Sequence, residues 1–184
     1  NASGAPGTPG VKTALGRSGH RPARPTANRV GMGPVLALAP RMGNRDPLEP
    51  SLQTAIGGSP VTMFDHVQGY QVFANNGLKE PLTGVVKVVD RSGNTILDTS
   101  AKAQGTQVLT PAEAYLMTYM LKDYQKVWNF PWNHQMASKT GPTGSSSQKP
   151  THTWTLAHKP HPVARSRAGP TAPARHARTP APPP

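Results

Sequence analysis

Lys139-Thr140-Gly141 sets a cation, a hydroxyl and a residue without a side chain in immediate succession. Gln135-Met136-Ala137 leads into the triplet with strand-like, mostly apolar character, and Pro142-Thr143-Gly144 follows it. On a strand bordering a cleft, those three residue types suit an incoming carboxylate. The ammonium attracts the anion, the hydroxyl hydrogen-bonds it, and the glycine lets a ligand backbone come close. The same letters also fit a charged strand end before a Gly/Ser turn, so the neighbouring elements must decide between the two. There are no cysteines, which removes disulfides, zinc–thiolate sites and thiol catalysis from consideration. Neither a metal nor another cofactor is expected.

The charge is unevenly spread. Residues 1–40 carry five Lys/Arg and no acid, residues 148–184 carry six and no acid, and all eight acids lie with nine Lys/Arg in 41–147. The net charge of +12 therefore belongs almost wholly to the ends. Such a balance raises nucleic acid or an anionic membrane surface as a partner. The basic ends, however, lack regularly interleaved aromatics and a helix-period basic face, so nonspecific polyanion binding is the most they imply. No specific nucleic-acid reader is expected. Nothing resembles a signal peptide, and no apolar run approaches about 18 residues.

The elements that would position the triplet are legible from turn and cap chemistry. Residues 1–29 are dense in Pro and Gly and predict irregular chain around an apolar island, Pro9 to Leu15. Val30 to Gly43 predicts a short helix that Pro40 should end or kink. Thr62 with Asp65 imitates a capping pair before Met63, Val67, Tyr70, Phe73 and Ala74, and Asn76-Gly77 supplies a stop, giving a helix over about 63–75. Thr83 to Asp90 and Thr95 to Leu97 flank Arg91-Ser92-Gly93-Asn94 and predict a hairpin. Thr106 to Leu109 suits another short strand. Thr110, Pro111 and Glu113 form the strongest helix start in the chain, ahead of a stripe of Leu116, Met117, Met120 and Leu121 read as core. Trp128, Phe130 and Trp132 form either a substrate wall or a plug beneath the following strand. Residues 148–184 hold nine prolines and predict disorder. The resulting division is a degraded or disordered segment at 1–40, a structured part at 41–147 and a Pro/Arg-rich disordered tail at 148–184.

From Leu48 to Gly144 the order and spacing of these pieces resemble the transpeptidase domain of the bifunctional, class A penicillin-binding proteins. The matching pieces are Pro50 to Gly58, Val61-Thr62-Met63, Gly69 to Gly77, the hairpin Val88 to Gly93, Leu109 to Thr118 and Ala137 to Gly141. The resemblance implies a mixed α/β fold with an antiparallel sheet flanked by helices. It implies a serine D,D-transpeptidase that acylates itself on D-alanyl-D-alanine stem peptides of peptidoglycan and is trapped by β-lactams. The location implied is the bacterial cell envelope, at the outer face of the cytoplasmic membrane, with any membrane anchor in a longer parent protein. It gives Lys139, Thr140 and Gly141 the role of binding the substrate carboxylate. Pro142 stands at a position whose backbone N–H would help bind the oxyanion, and proline has none.

The departures concern catalysis. The resemblance calls for a Ser-x-x-Lys nucleophile motif well ahead of the triplet, and none precedes Lys139. Ser146-Ser147-Gln148-Lys149 has the spacing but follows the triplet in polar, low-complexity sequence. The motif Ser-x-Asn should fall near Ala5-Pro6-Gly7, where neither letter is present, and Ser92-Gly93-Asn94 reads as turn chemistry. Pro9 to Lys12 resembles the segment after that motif, and Thr153-Trp154-Thr155-Leu156 resembles the next sheet strand, after which the closing strands are missing. The expectation is an incomplete transpeptidase domain, with no catalytic nucleophile and no activity as it stands. The alternatives are a non-catalytic module that binds cell-wall peptides, or basic ends that bind polyanions.

Overall fold

The computed structural model describes residues 10–99, 105–128, 136–143, 152–159 and 165–169. Three helices come first: α1 (Val11–Gly16), α2 (His20–Val30) and α3 (Met32–Met42). A 3-10 turn at Thr54–Ile56 precedes α4 (Met63–Ala74). Four short strands follow: β1 (Leu78–Lys79), β2 (Lys87–Val89), β3 (Thr95–Asp98) and β4 (Thr106–Gln107). Then come α5 (Pro111–Lys122), α6 (Tyr124–Val127), β5 (Ala137–Thr143), β6 (His152–His158) and β7 (Arg165–Gly169). All pairings are antiparallel: β1 with β4, β2 with β3, and a three-stranded sheet in the order β5-β6-β7. The fold class is therefore the mixed α/β expected, with small antiparallel sheets and flanking helices.

The helix starts behave as their cap chemistry dictates. The Thr62 hydroxyl accepts from Asp65 N–H ahead of α4. At α5 the capping box is complete: Thr110 Oγ1 accepts from Glu113 N–H, and Glu113 Oε2 accepts from Thr110 N–H at 2.8 Å. Gly77, at φ +87, closes the segment after α4, and a side chain there would collide with the Leu109 carbonyl.

Several expectations are corrected. Helices occupy 11–16 and 20–30, within the stretch 1–29 expected to be irregular, whereas the helix expected over 30–43 is found at 32–42. Pro22 falls in the first turn of α2, where no N–H is needed, whereas Pro25 lies inside α2 and removes one helical bond that the rest of the helix outweighs. Tertiary contacts supply the rest: Lys12 on α1 pairs with Asp123 at 2.6 Å and lies 3.6 Å from the Tyr119 ring centroid. α3 runs through Pro40 to Met42 and stops at Gly43, at φ +119. Pro40 sits in the last turn, where the lost donor costs only one bond. β6 and β7 lie inside the tail expected to be disordered, because β5 supplies a ladder that composition alone cannot reveal. β6 contains the Thr153–Leu156 stretch that resembled a sheet strand. The α5 stripe is only partly core: Leu121 is buried, whereas Leu116 is 56% exposed.

Asp65 carries a checkable electrostatic consequence. It is 3% exposed, and burial alone would push its carboxyl up. Arg45 offsets this through its Nε at 2.7 Å and its backbone N–H, and the Thr62 hydroxyl adds to it, leaving Asp65 below its usual 3.8. A carboxyl depressed in the fold stabilises it above its unfolded value and loses that contribution as pH falls through the lower folded value. Urea midpoints should therefore fall between about pH 5 and pH 2. Asp65→Asn should be less stable at neutral pH and should flatten that acid limb. An unchanged limb would remove Asp65 from this role.

Candidate carboxylate site at the edge of the sheet

β5 carries the triplet, and its neighbours explain how the strand is held. Ala137 and Ser138 are buried, and Lys139, Thr140 and Gly141 are half-buried. β5 is the first strand in its sheet, with β6 on one side only among the described residues. Backbone groups in such a ladder turn alternately toward the partner strand and away from it. Proline has no N–H to donate, and a ladder tolerates it where that position faces outward. Pro142 lies opposite Thr153. Because proline cannot donate to the β5–β6 ladder, the expected place of its backbone is the edge away from β6, together with Ser138 and Thr140 at the same alternation. The Thr140 carbonyl accepts from Lys139 Nζ at 2.5 Å. A Cβ built on Gly141 would meet nothing within 4 Å, so space is open beside it.

The Lys139 ammonium is fixed by neutral groups. Nζ donates to Ser18 Oγ at 2.5 Å and to the Thr140 carbonyl, and lies 4.9 Å from the Tyr124 ring centroid. Burial pushes its pKa down. No carboxylate pairs with it among the described residues, where the ion pairs are Lys12–Asp123 and Arg45–Asp65. Thr140 Oγ1 is in hydrogen-bond contact with the Tyr124 hydroxyl.

Ser18 and Tyr124 come from distant parts of the chain. α1 ends in a tight turn in which Ser18 N–H donates to the Leu15 carbonyl and Gly19 N–H to the Ala14 carbonyl. Ser18 takes φ +53 there, a conformation costly for a residue with a Cβ. α6 brings Tyr124, 2% exposed, beneath β5. Trp128, just after α6, donates from Nε1 to the Gly16 carbonyl at 2.9 Å, tying the end of α1 to α6. Trp128 thus acts as a strut rather than a substrate wall, while Phe130 and Trp132 lie outside the described residues. Sequence reasoning missed both Ser18 and Tyr124. Gly16-Arg17-Ser18-Gly19 carries only turn letters, and Tyr124 reads as one more aromatic after a helix.

The remaining candidates separate cleanly. Ser92 and Asn94 are turn residues: both backbone N–H groups donate to Asp90 Oδ1 at 2.8 Å, and the Asn94 side chain donates to Oδ2. Ala5-Pro6-Gly7 and Ser146 to Lys149 lie outside the described residues. Two cavities, of about 150 Å³ against Tyr115, Tyr119 and His158 and about 350 Å³ against Arg45, Phe64 and Lys79, do not border Lys139. Burial pushes His158 down to about 4 and Tyr70 up to about 12, so both stay neutral near pH 7.

No protein-family model matches the chain. Among curated proteins it is 30% identical over 143 residues to penicillin-binding protein 1A of Clostridium perfringens, covering 64% of this chain and 19% of that one. It is 29% identical over 110 residues to penicillin-binding protein 1B of Vibrio cholerae, covering 59% and 14%. The chain thus spans under a fifth of the length of either relative. Among solved structures it matches the PonA1 protein of Mycobacterium tuberculosis in complex with penicillin V, with a TM-score of 0.74 at 20% identity, over 91% of this chain and 49% of that one. That likeness shows a shared fold.

Proposed function

Starting from a chain that is related to the class A penicillin-binding proteins and has the fold of their transpeptidase domain, we propose that it carries the carboxylate-recognition edge of a peptidoglycan D,D-transpeptidase. Its ligands are then stem peptides ending in D-alanyl-D-alanine and, by the same carboxylate, β-lactams. Its setting is the bacterial cell envelope. No described helix is long and apolar enough to cross a membrane.

One observation carries this reading. A half-buried ammonium at an open strand edge is held by neutral oxygens and has no acidic partner among the described residues. Desolvating a cation without a counter-ion is unfavourable, and an arriving carboxylate offsets that cost. Nζ has three N–H groups, two of them already engaged, which leaves one to donate. Thr140 Oγ1 and the open space beside Gly141 complete the cradle. Binding occurs without acylation, since no Ser-x-x-Lys precedes Lys139.

The contact is weak, since a part-exposed charge pair contributes at most about 1 kcal/mol. Titration of the 184-residue chain with N-acetyl-D-alanyl-D-alanine should shift backbone amide resonances of residues 138–141. Those shifts should vanish in Lys139→Ala with the remaining spectrum unchanged. Equal shifts in the variant would discard the assignment.

A further inference from the structure

We propose that Tyr124 is a specificity-determining residue of this carboxylate site, acting through the Thr140 hydroxyl. The inference rests on the carboxylate reading above and concerns how that site tells a carboxylate from an amide.

A threonine hydroxyl has one proton and can serve as donor or acceptor toward a ligand. Left to rotate, it would accommodate a carboxylate oxygen or an amide N–H equally. Tyr124 removes that freedom. Its hydroxyl is in hydrogen-bond contact with Thr140 Oγ1, and in the proposed arrangement the phenol donates and Oγ1 accepts. The Thr140 proton is then left for another acceptor, such as a ligand bound beside Lys139. Both groups facing the ligand are thereby donors. A carboxylate, which only accepts, satisfies both with its two oxygens, whereas a C-terminal amide has one accepting oxygen and its NH₂ faces the second donor and leaves it unpaired.

The geometry that holds Tyr124 supports a fixed role. The ring is 2% exposed, sits 6.1 Å from Trp128, and supports the Lys139 ammonium on its face. Trp128 in turn grips the end of α1 that presents Ser18 to Lys139. One short helix thus positions both donors: its ring face the ammonium, its hydroxyl the Thr140 proton.

Tyr124→Phe isolates the hydroxyl, since the ring and its contact with Lys139 remain. The experiment measures dissociation constants of N-acetyl-D-alanyl-D-alanine and of its C-terminal amide by amide-resonance titration, for the wild-type chain and for Tyr124→Phe. Thermal midpoints and amide spectra of both proteins verify the fold. Should Tyr124→Phe fail to fold, Thr140→Val provides the second variant, since it removes the oriented proton directly. The wild type should prefer the carboxylate, and the variant should lose about tenfold of that preference, the equivalent of one hydrogen bond to a charged group. A merely structural tyrosine would weaken both ligands alike and leave their ratio unchanged, which would overturn the inference while the carboxylate reading stands. Absence of saturable carboxylate binding by the wild type would overturn the reading itself, and the inference with it.

Discussion

Incubated with labelled penicillin, the 184-residue chain is expected to carry no covalent adduct by mass spectrometry. Acylation requires a serine whose hydroxyl is activated by a base and aimed at a carbonyl whose developing oxyanion is stabilised. Among the described residues the nearest approach to such a group is Ser18, with Lys139 Nζ at 2.5 Å from its Oγ. Two features keep it unreactive. The Ser18 and Gly19 amides already donate to the Leu15 and Ala14 carbonyls, so the turn offers no free oxyanion donors. Lys139 is also the cation that an approaching β-lactam carboxylate would meet, and that carboxylate favours the charged, non-basic form. Penicillin should therefore bind weakly and leave unchanged. A stoichiometric adduct on any serine would overturn this, and an adduct mapped to Ser18 would make the Ser18–Lys139 pair a catalytic dyad.

The second large effect concerns Pro142. Since a ladder tolerates proline only where no N–H is needed, its missing N–H is expected at the outer edge of β5, and Gly141 beside it has open space. The resemblance to the class A transpeptidase domain implies that the backbone N–H at this position would help bind the oxyanion. Loss of one such donor costs about 10²–10³ in rate, roughly 3–4 kcal/mol. Proline biases the preceding Gly141 toward extended geometry, which a strand accepts, and β5 does run through Pro142 to Thr143. Placing proline immediately after Lys-Thr-Gly in an intact penicillin-binding protein 1A should therefore lower its acylation rate by penicillin about 10²–10³-fold while its thermal midpoint stays near that of the parent. Acylation at the parent's rate would mean that the donor lies elsewhere and that Pro142 merely opens a turn.

What the sequence determined by itself was local. Thr62, Thr110 and Glu113 specify helix starts because a cap needs only a side-chain oxygen and the next few N–H groups. Asp90 to Asn94 specify the hairpin turn through bonds made within five residues. The order of those pieces was enough to point to the fold, and Lys139-Thr140-Gly141 to the anion site proposed for its edge. The tertiary structure decided what depends on partners far along the chain. α1 and α2 form in a stretch whose Pro and Gly content argued against helices, with α1 anchored by Asp123 and Tyr119, more than 100 residues away. β6 and β7 exist because β5 offers a ladder. The surroundings of Lys139 belong to the same class. Ser18 lies 121 residues before it, and Tyr124 reaches it only because α6 turns back beneath the sheet. A hydroxyl 2.5 Å from an ammonium leaves no mark on spacing or periodicity when the chain between them is that long, because its position is set by packing rather than by any local conformational preference.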